Sequence, residues 1–320
     1  MPVLALAGDT MLGRGVGQVL AVAGTEQVVG PGLRAALDEA DALVLNLECC
    51  VSDRGTPWPE PGKRFFFRAP PAAVDLLSEL GATAVTLANN HALDFGPEAL
   101  ADTLDLLDLA GIAVVGAGHD EQEARRPASL PVGAQQVGLV GLTDHPAGFA
   151  AGPDRAGVAY ADLADGLPAW VTDAVSRARS SGPVLVSPHW GPNLVAAPLP
   201  RVQRAAEQLL AAGAELVAGH SAHVPHGVRP PVLFDLGDFV DDYAVHPVRR
   251  NDLGVLWLVT LDGGRFTGVD LVPLRLGYAR TDVATGPDRD WLFRRLRTAC
   301  AELGTAASEA EDGRLHLPLT

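Results

Sequence analysis

Short apolar segments that end in polar side chains recur along this sequence, and they limit the possible folds more than any other feature. Residues 84–87 are apolar and β-branched enough to form a buried strand, and residues 97–100 begin a helix with proline in its first turn. The polar residues 89–94 between them therefore lie at the carboxyl end of a strand, where ligands bind in open α/β sheets. The stretch fits either a binding loop or a turn whose polar groups satisfy the local backbone.

The same arrangement recurs in other predicted strands. Residues 3–7, 42–45 and 184–186 are apolar, as is the predicted strand 215–218 after Glu215, and each segment is followed within a few residues by a carboxylate or an imidazole. Helices are predicted between and after the strands, over residues 31–40, 70–80, 97–110, 163–180, 201–212 and 288–303. This alternation predicts an α/β fold with its polar groups gathered at one edge.

The remaining segments complete the predicted organisation. Residues 128–142 and 255–274 are typical of hairpins, and residues 64–68 of a short edge strand or a lid over the site. No Ser-, Gly- or Pro-rich linker divides the chain cleanly. We therefore predict one large domain over residues 1–285, followed by a C-terminal helix and tail over residues 286–320.

The composition disfavours some partners. The chain of 320 residues carries a formal charge of −15, and Lys63 is its one lysine. That charge repels polyanions, so binding to nucleic acid or to an anionic membrane is disfavoured. A small anionic substrate would need local compensation from metal ions or arginines. The hydrophobic content of 48% supports a sizeable core.

The cysteines and the apolar segments indicate a compartment. Cys49, Cys50 and the distant Cys300 do not form a disulfide framework and are expected to be buried. The sequence contains no basic and apolar leader and no apolar run of about eighteen residues. We therefore expect a cytoplasmic protein without a membrane segment.

Five predicted strands end in side chains that can hold a divalent cation. The candidate ligands are Asp9, Glu48, Asn90, His189, His220 and His223. Mixed imidazole, carboxylate and amide ligands suit Zn, Mn or Fe better than Ca or an iron–sulfur cluster. A lone histidine is more often structural, whereas several at strand ends indicate a metal site.

Seven motifs occur in a fixed order between residues 3 and 275. They are Gly8-Asp9-Thr10-Met11-Leu12-Gly13-Arg14, Asn46-Leu47-Glu48, Phe67-Arg68-Ala69-Pro70, Ala88-Asn89-Asn90-His91-Ala92-Leu93-Asp94-Phe95-Gly96, His189-Trp190-Gly191, Gly219-His220-Ser221-Ala222-His223 and Leu236-Gly237-Asp238-Phe239. As an ordered set they resemble the bacterial capsule-synthesis family (CapA, poly-γ-glutamate), whose fold is similar to that of the calcineurin-like metallophosphoesterases. The resemblance implies a four-layer α/β/β/α sandwich with two divalent metal ions, Mn, Zn or Fe, at one edge.

The resemblance also implies roles for the candidate ligands. Asp9 stands for the first carboxylate and Glu48 for a carboxylate that bridges both ions, while Asn90 and His189 would bind the second ion. His220 and His223 fill the last motif. His91 would be the general acid beside the leaving group, typically contributing about 10²- to 10⁴-fold to the rate.

The sequence departs from the superfamily pattern at two places. Met11 occupies the position of the histidine in the first motif, so one metal position has lost a ligand. The last motif has two residues between His220 and His223, so the sequence leaves open which imidazole meets which ion.

Further side chains could support the site or have structural roles. Asp94 either orients His91 or forms the N-cap of the following helix. Arginine holds an anion better than lysine because its fork binds two oxygens at once. The substrate-binding candidates are Arg14, Arg64 and Arg68, although surface arginines without a role are common.

An acidic cluster follows the last histidine motif. It comprises Asp235, Asp238, Asp241 and Asp242. It could support the site or form a solvated turn, and the sequence favours the turn.

These observations leave three functional hypotheses. The leading one is a metal-dependent hydrolase acting on a phosphoester or a γ-glutamyl-type amide. The second is a non-hydrolytic protein of poly-γ-glutamate capsule biosynthesis or export. The third is a binding module whose altered metal site holds a ligand without turnover, which the loss at Met11 makes admissible.

Overall fold

Alternating side chains along the strands build the layers of this molecule, for which a computed structural model describes residues 1–59 and 61–319. The helices in these residues are α1 (Arg14–Ala23), α2 (Pro31–Leu37), α3 (Ala73–Glu79), α4 (Gly96–Leu109), α5 (Glu121–Ala124), α6 (Ala169–Ala178), α7 (Pro200–Ala212) and α8 (Gly286–Glu302). The strands are β1 (Val3–Thr10), β2 (Ala42–Leu47), β3 (Cys50–Val51), β4 (Arg68–Ala69), β5 (Ala82–Thr86), β6 (Ala113–Val115), β7 (Ala117–Gly118), β8 (Ala128–Val132), β9 (Gln135–Thr143), β10 (Gly157–Val158), β11 (Val184–His189), β12 (Leu216–Ala218), β13 (Val228–Arg229), β14 (Val232–Leu233), β15 (Asp238–Val240), β16 (Leu253–Asp262), β17 (Arg265–Gly277), β18 (Arg280–Val283), β19 (Ser308–Glu309) and β20 (Leu315–Pro318).

Two large sheets carry most of these strands. The larger has the order β19-β20-β17-β16-β1-β2-β5-β6, with β15 also paired to β1 and β18 to β17. The smaller has the order β13-β14-β12-β11-β9-β8. Strands β1, β2, β5 and β6 run parallel, as do β9, β11, β12 and β14. The carboxyl ends of each parallel set therefore gather at one edge of its sheet.

Side chains point alternately to the two faces of each sheet and so define the layers. In β1, Leu4 and Leu6 pack into the core between the sheets, while Ala5 and Ala7 pack against helices α1 to α4 on the outer face. On the smaller sheet, residues such as Leu142 pack against α6 and α7. This arrangement confirms the four-layer α/β/β/α sandwich.

Most predicted elements are present with altered bounds. The helix predicted over residues 163–180 occupies Ala169–Ala178, and both hairpins are confirmed. Helix α1 is not predicted from the sequence, because Gly15 and Gly17 lower the helix propensity of Arg14–Ala23. Buried contacts of Val16 and Leu20 stabilise that helix instead.

The predicted C-terminal tail is wrong for residues 315–318. Strand β20 pairs antiparallel with β17, and Leu315 and Leu317 lie in the core between the sheets. Helix α8 packs against β17 and is confirmed as the last helix of the described residues. The domain division at residue 285 stays a prediction. No helix in residues 1–59 and 61–319 has the length and apolarity needed to cross a membrane.

Candidate metal centre

The polar strand ends of both sheets meet in one buried site. Asp9 lies near the end of β1 and Glu48 directly after β2, while His189 ends β11 and His220 follows β12. Each of these four residues is at most 1% exposed. A backbone contact joins the two sheets here, because Ser221 N–H donates to Asp9 Oδ2 at 3.2 Å. The convergence predicted from the sequence is therefore present for these residues.

Two overlapping sets of side chains could each hold a metal ion. The imidazole group is Asp9, His189 and His220, and the carboxylate group is Asp9, Glu48 and His223. Within each group the candidate ligand atoms lie within 4.8 Å of one another. Asp9 belongs to both groups, which places the two candidate ion positions side by side.

Three side chains form the imidazole group. His189 Nδ1 and His220 Nδ1 are 2.8 Å apart, and His220 Nδ1 is 3.7 Å from Asp9 Oδ1. Burial holds the pKa of His189 well below its ordinary value, and the adjacent His220 adds to this effect. Burial likewise lowers the pKa of His220 to about 4. Both rings are therefore neutral at pH 7, which is the state that binds metal.

The carboxylate group carries more negative charge. His223 Nδ1 lies 3.2 Å from Asp9 Oδ2 and 3.9 Å from Glu48 Oε2. Burial alone would lower the pKa of His223, but the carboxylates of Asp238 and Glu48 raise it well above its ordinary value. Burial, reinforced by the charge of Asp9, raises the pKa of Glu48. A divalent cation here would relieve this crowding of buried acids.

Glu48 belongs to the carboxylate group and also faces the imidazole group. Its Oε1 is 3.9 Å from His189 Nε2, and its Oε2 faces His223. Tyr243 OH donates to Oε2 at 3.2 Å. This placement is compatible with the bridging role that the resemblance implies, a role that stays a prediction.

Buried atoms without partners test whether the residues fit a metal. Glu48 Oε1, Asn90 Oδ1 and Asp238 Oδ2 have no hydrogen-bond partner among the described residues. Leaving a buried polar atom unpaired costs about 1–3 kcal/mol, so such atoms usually have a ligand or water. Oxygen and imidazole donors in this mixture suit a first-row divalent ion. The side chains of the two groups therefore fit a first-row divalent ion.

Two asparagines orient the ligands. No role was predicted for either of them from the sequence. Asn46 Nδ2 donates to Asp9 Oδ1 at 2.7 Å, and Asn89 Nδ2 donates to Asn46 Oδ1 at 2.9 Å. Asn89 Oδ1 in turn accepts the backbone N–H of His91 at 3.0 Å. Their position inside the ligand motifs was the available signal. Such outer partners fix the orientation of metal ligands.

The acidic cluster after the last motif supports the site, and the favoured prediction of a solvated turn is wrong. Asp235, Asp238 and Asp241 are 1%, 0% and 5% exposed. Asp238 Oδ1 lies 2.8 Å from His223 Nδ1, and Asp238 pairs with Asp9 across β15 and β1. Asp242 forms an ion pair with Arg14 at 3.2 Å.

His91 is held beside the centre by two charged side chains. Its Nδ1 lies 2.6 Å from Asp94 Oδ2, and Lys63 Nζ lies 2.8 Å from Asp94 Oδ1. Phe95, not Asp94, occupies the N-cap of α4, so the capping alternative for Asp94 is wrong. Burial lowers the pKa of His91 although Asp94 opposes this effect. The sequence predicts arginines rather than Lys63 at the site, yet Lys63 contacts Asp94 of this pair directly.

The three predicted substrate arginines occupy different surroundings. The guanidinium of Arg14 lies 5.6 Å above the ring of Phe67, which itself packs 4.1 Å from His91. Arg68 donates to the carbonyl of Arg54 and stacks on Phe95, and Arg64 is exposed. Arg14 is thus closest to the site, and the substrate role of all three stays a prediction.

The backbone of the Gly219–His223 motif is strained. Ser221 and His223 have φ values of +114° and +58°, which residues with a side chain rarely adopt. Such strain persists where the surrounding structure fixes it, and it is common at functional sites. Here it turns His223 towards Asp9 while His220 faces His189. The geometry therefore divides the two histidines between the two groups.

Met11 belongs to the apolar core of the molecule. It is fully buried in the apolar cluster beneath the outer helices, and its Sδ accepts the N–H of Gly13 at 3.2 Å. The position that the resemblance assigns to a histidine is therefore filled by core packing.

Comparison with known proteins agrees with the fold and the motifs. The model of the family described as bacterial capsule synthesis protein PGA_cap matches residues 3–243. A Mycobacterium tuberculosis protein named probable polyglutamine synthesis accessory protein is 31% identical, covering 98% of this chain and 94% of that protein. The PGA biosynthesis protein CapA of Bacillus subtilis is 29% identical, covering 82% of this chain and 70% of that protein.

A solved structure shows the same fold. A hypothetical protein from Thermus thermophilus superposes with a TM-score of 0.50 at 15% identity, covering 85% of this chain and 99% of that chain. The family model spans most of the 320 residues, including the candidate ligands. This chain therefore belongs to the bacterial capsule synthesis (PGA_cap) family.

Proposed function

We propose that this protein is a metal-dependent hydrolase acting on a phosphoester or a γ-glutamyl-type amide. The observation that carries this proposal is the pair of overlapping ligand groups, which share Asp9, with Glu48 of the carboxylate group 3.9 Å from His189 of the imidazole group. The donor atoms favour two ions of Mn, Zn or Fe. In such a site the ions polarise the centre under attack and lower the pKa of water to supply the nucleophile.

The chain's own residues would carry out the remaining steps. The imidazole and carboxylate groups hold the ions, with Asn90 as a further ligand for the ion near His189. His91, whose Nδ1 lies 2.6 Å from Asp94 Oδ2, would pass a proton to the leaving atom. Phe67 covers the ring of His91 and limits the access of water. Arg14, which is ion-paired with Asp242 at 3.2 Å, would offer its guanidinium to the anionic substrate.

A second candidate function has its own support. The curated relatives are named for PGA or polyglutamine synthesis and capsule biosynthesis, and Met11 replaces a ligand that the superfamily pattern expects. A non-hydrolytic part in poly-γ-glutamate capsule biosynthesis or export would need ligand binding without turnover. The same buried ligand set could serve that purpose.

Metal content and turnover separate these two functions. Purified protein would be analysed for bound metals, then assayed on an aryl phosphate and on a γ-glutamyl anilide with and without added Mn. The hydrolase proposal expects bound metal and turnover of one substrate that a chelator abolishes. Metal-loaded protein that turns over neither substrate would favour the second function. Protein that binds no metal would contradict the hydrolase.

A further inference from the structure

A cavity of about 490 Å³ opens beside the metal centre and is not used by the roles described so far. Asn90, His145, Trp190 and Arg201 are among its lining residues. Asn90 belongs to the predicted ligand set, and its buried Oδ1 has no partner among the described residues. A molecule in this cavity would therefore lie against the ligand set at one end. The volume is within the usual range for small-molecule sites.

A second histidine–carboxylate pair forms the wall nearest the centre. His145 Nδ1 contacts Asp144 Oδ1, and Asp144 Oδ2 accepts the N–H of Gly191 at 3.2 Å. The rings of His145 and His189 are 5.2 Å apart. Because Asp144 engages Nδ1, Nε2 is the ring nitrogen of His145 that can meet a ligand. The sequence contains this pair at the end of β9, where no role was assigned to it.

The lining of the cavity also includes a cation. Arg201 lies in the first turn of α7, is exposed and lines the cavity. No hydrogen bond or ion pair engages its guanidinium among residues 1–59 and 61–319. In a chain with a charge of −15, such an arginine is a rare local attraction for an anion. Its planar fork matches a carboxylate, which it can bind through two hydrogen bonds.

Acidic and apolar residues complete the cavity. Asp162 lines it and is held in place because its Oδ1 accepts the N–H of Ala164 at 3.0 Å. Val202 and Ala205, which are 5% and 2% exposed, add apolar groups to the lining. The lining of the cavity thus includes a cation, a carboxylate and apolar side chains.

We infer that this cavity binds an α-amino-acid head group that carries both a free carboxylate and a free ammonium. Arg201 binds the carboxylate, Asp162 binds the ammonium, and the apolar side chains contact a short aliphatic stem. The distal end of the ligand then lies beside His145 and Asn90. The inference rests on the proposed function for the reaction at that end, and it selects the amide over the phosphoester as substrate.

The test is equilibrium binding by calorimetry to the full chain as purified, with Mn added. The probes are L-glutamate, which offers no bond to hydrolyse, the dipeptide γ-glutamylglutamate and its N-acetyl derivative. The variants are Arg201→Met and Asp162→Asn. Matched controls are Arg204→Met, on the same helix, and Asp165→Asn, on the same loop, because both residues are exposed and neither is among the lining residues found for the cavity.

We expect Arg201→Met to weaken binding of L-glutamate and the dipeptide by about 10- to 100-fold, the usual range for hydrogen bonds to a charged group. Asp162→Asn should weaken the dipeptide but not its N-acetyl derivative, which lacks the ammonium. Both control variants should bind within about twofold of the wild type. Equal binding by Arg201→Met and Arg204→Met would overturn the inference.

The outcomes distinguish this inference from the proposed function. If the wild type hydrolyses the aryl phosphate but binds neither L-glutamate nor the dipeptide at millimolar concentration, the cavity inference is wrong and the hydrolase stands. If the variants change binding as expected but no substrate is turned over, the inference stands and the hydrolase is wrong. Binding of the dipeptide without L-glutamate would support a peptide end as the occupant rather than a free amino acid.

Discussion

The imidazole and carboxylate groups share Asp9 but differ in charge and in origin. The imidazole group takes His189 and His220 from the smaller sheet, and both rings are neutral because burial lowers their pKa. The carboxylate group adds Glu48 from the larger sheet and has Asp238 in contact with His223. The Asp9 carboxylate is therefore shared by two candidate ion positions, and the carboxylate group around the second carries more negative charge. If both positions bind a cation, we expect the two positions to differ in affinity and in preferred metal.

Removing an imidazole is expected to have the largest effect. In His189→Ala the imidazole group keeps one nitrogen and one oxygen ligand, so its ion should be lost and turnover should fall about 10³-fold or more. Metal analysis and chelator-sensitive hydrolysis would measure both. His119→Ala, at an exposed position outside both groups, is the matched control and should change neither. Activity that survived in His189→Ala would show that the ligand assignment is wrong.

Replacing Asp238 tests the carboxylate group in the same way. Asp238→Asn keeps the shape but weakens the contact with His223 Nδ1, so the bound ions should fall from two towards one. We expect a loss of about 10- to 100-fold in metal affinity, the usual effect of changing an outer partner. Asp262→Asn, at the exposed end of β16, is the control. Retention of both ions at wild-type affinity would mean that Asp238 only packs against His223.

Disturbing the position of His91 should have a smaller effect on turnover and should leave the metal content unchanged. Lys63 Nζ contacts Asp94 at 2.8 Å and the carbonyl of Asn90 at 3.0 Å, and its side chain is 11% exposed. Lys63→Met should lower kcat about tenfold with unchanged metal content, because Asp94 would lose its ion pair. Lys63→Arg should recover part of the loss and keep the pH profile of the wild type. A parallel loss of metal would indicate a structural role instead.

The sequence contained enough information for the fold and for most of the convergence. Buried strands end in polar groups, and parallel strands bring those ends to one edge, so Asp9, Glu48, His189 and His220 could be placed together before any coordinates existed. The helix at Arg14–Ala23 could not be predicted because its glycines oppose helix formation and tertiary packing stabilises it.

Other features depend on contacts between residues far apart in sequence. Asp238 looked like part of a turn, and its pairing with Asp9 on β1 became visible only in the register of β15. Lys63 lies in a loop rich in proline and glycine, where the sequence gives no direction for a side chain. The division of His220 and His223 between the groups follows from the positive φ values of Ser221 and His223. Residues with a side chain rarely adopt such values, so the sequence does not predict them.

The smallest expected effect on the metals concerns Met11, and it tests whether the carboxylate group is complete without that position. Met11 is fully buried in an apolar cluster, so Met11→His would place an imidazole there rather than add a ligand. Burying that polar ring should lower the free energy of unfolding by about 1–3 kcal/mol, while metal content stays unchanged. Met11→Leu conserves volume and polarity and should cost less than about 1.5 kcal/mol. Thermal unfolding with metal analysis measures both quantities. Tighter binding of the second ion by Met11→His would show instead that residue 11 can reach the carboxylate group, and that the two groups differ because one of them has lost a ligand.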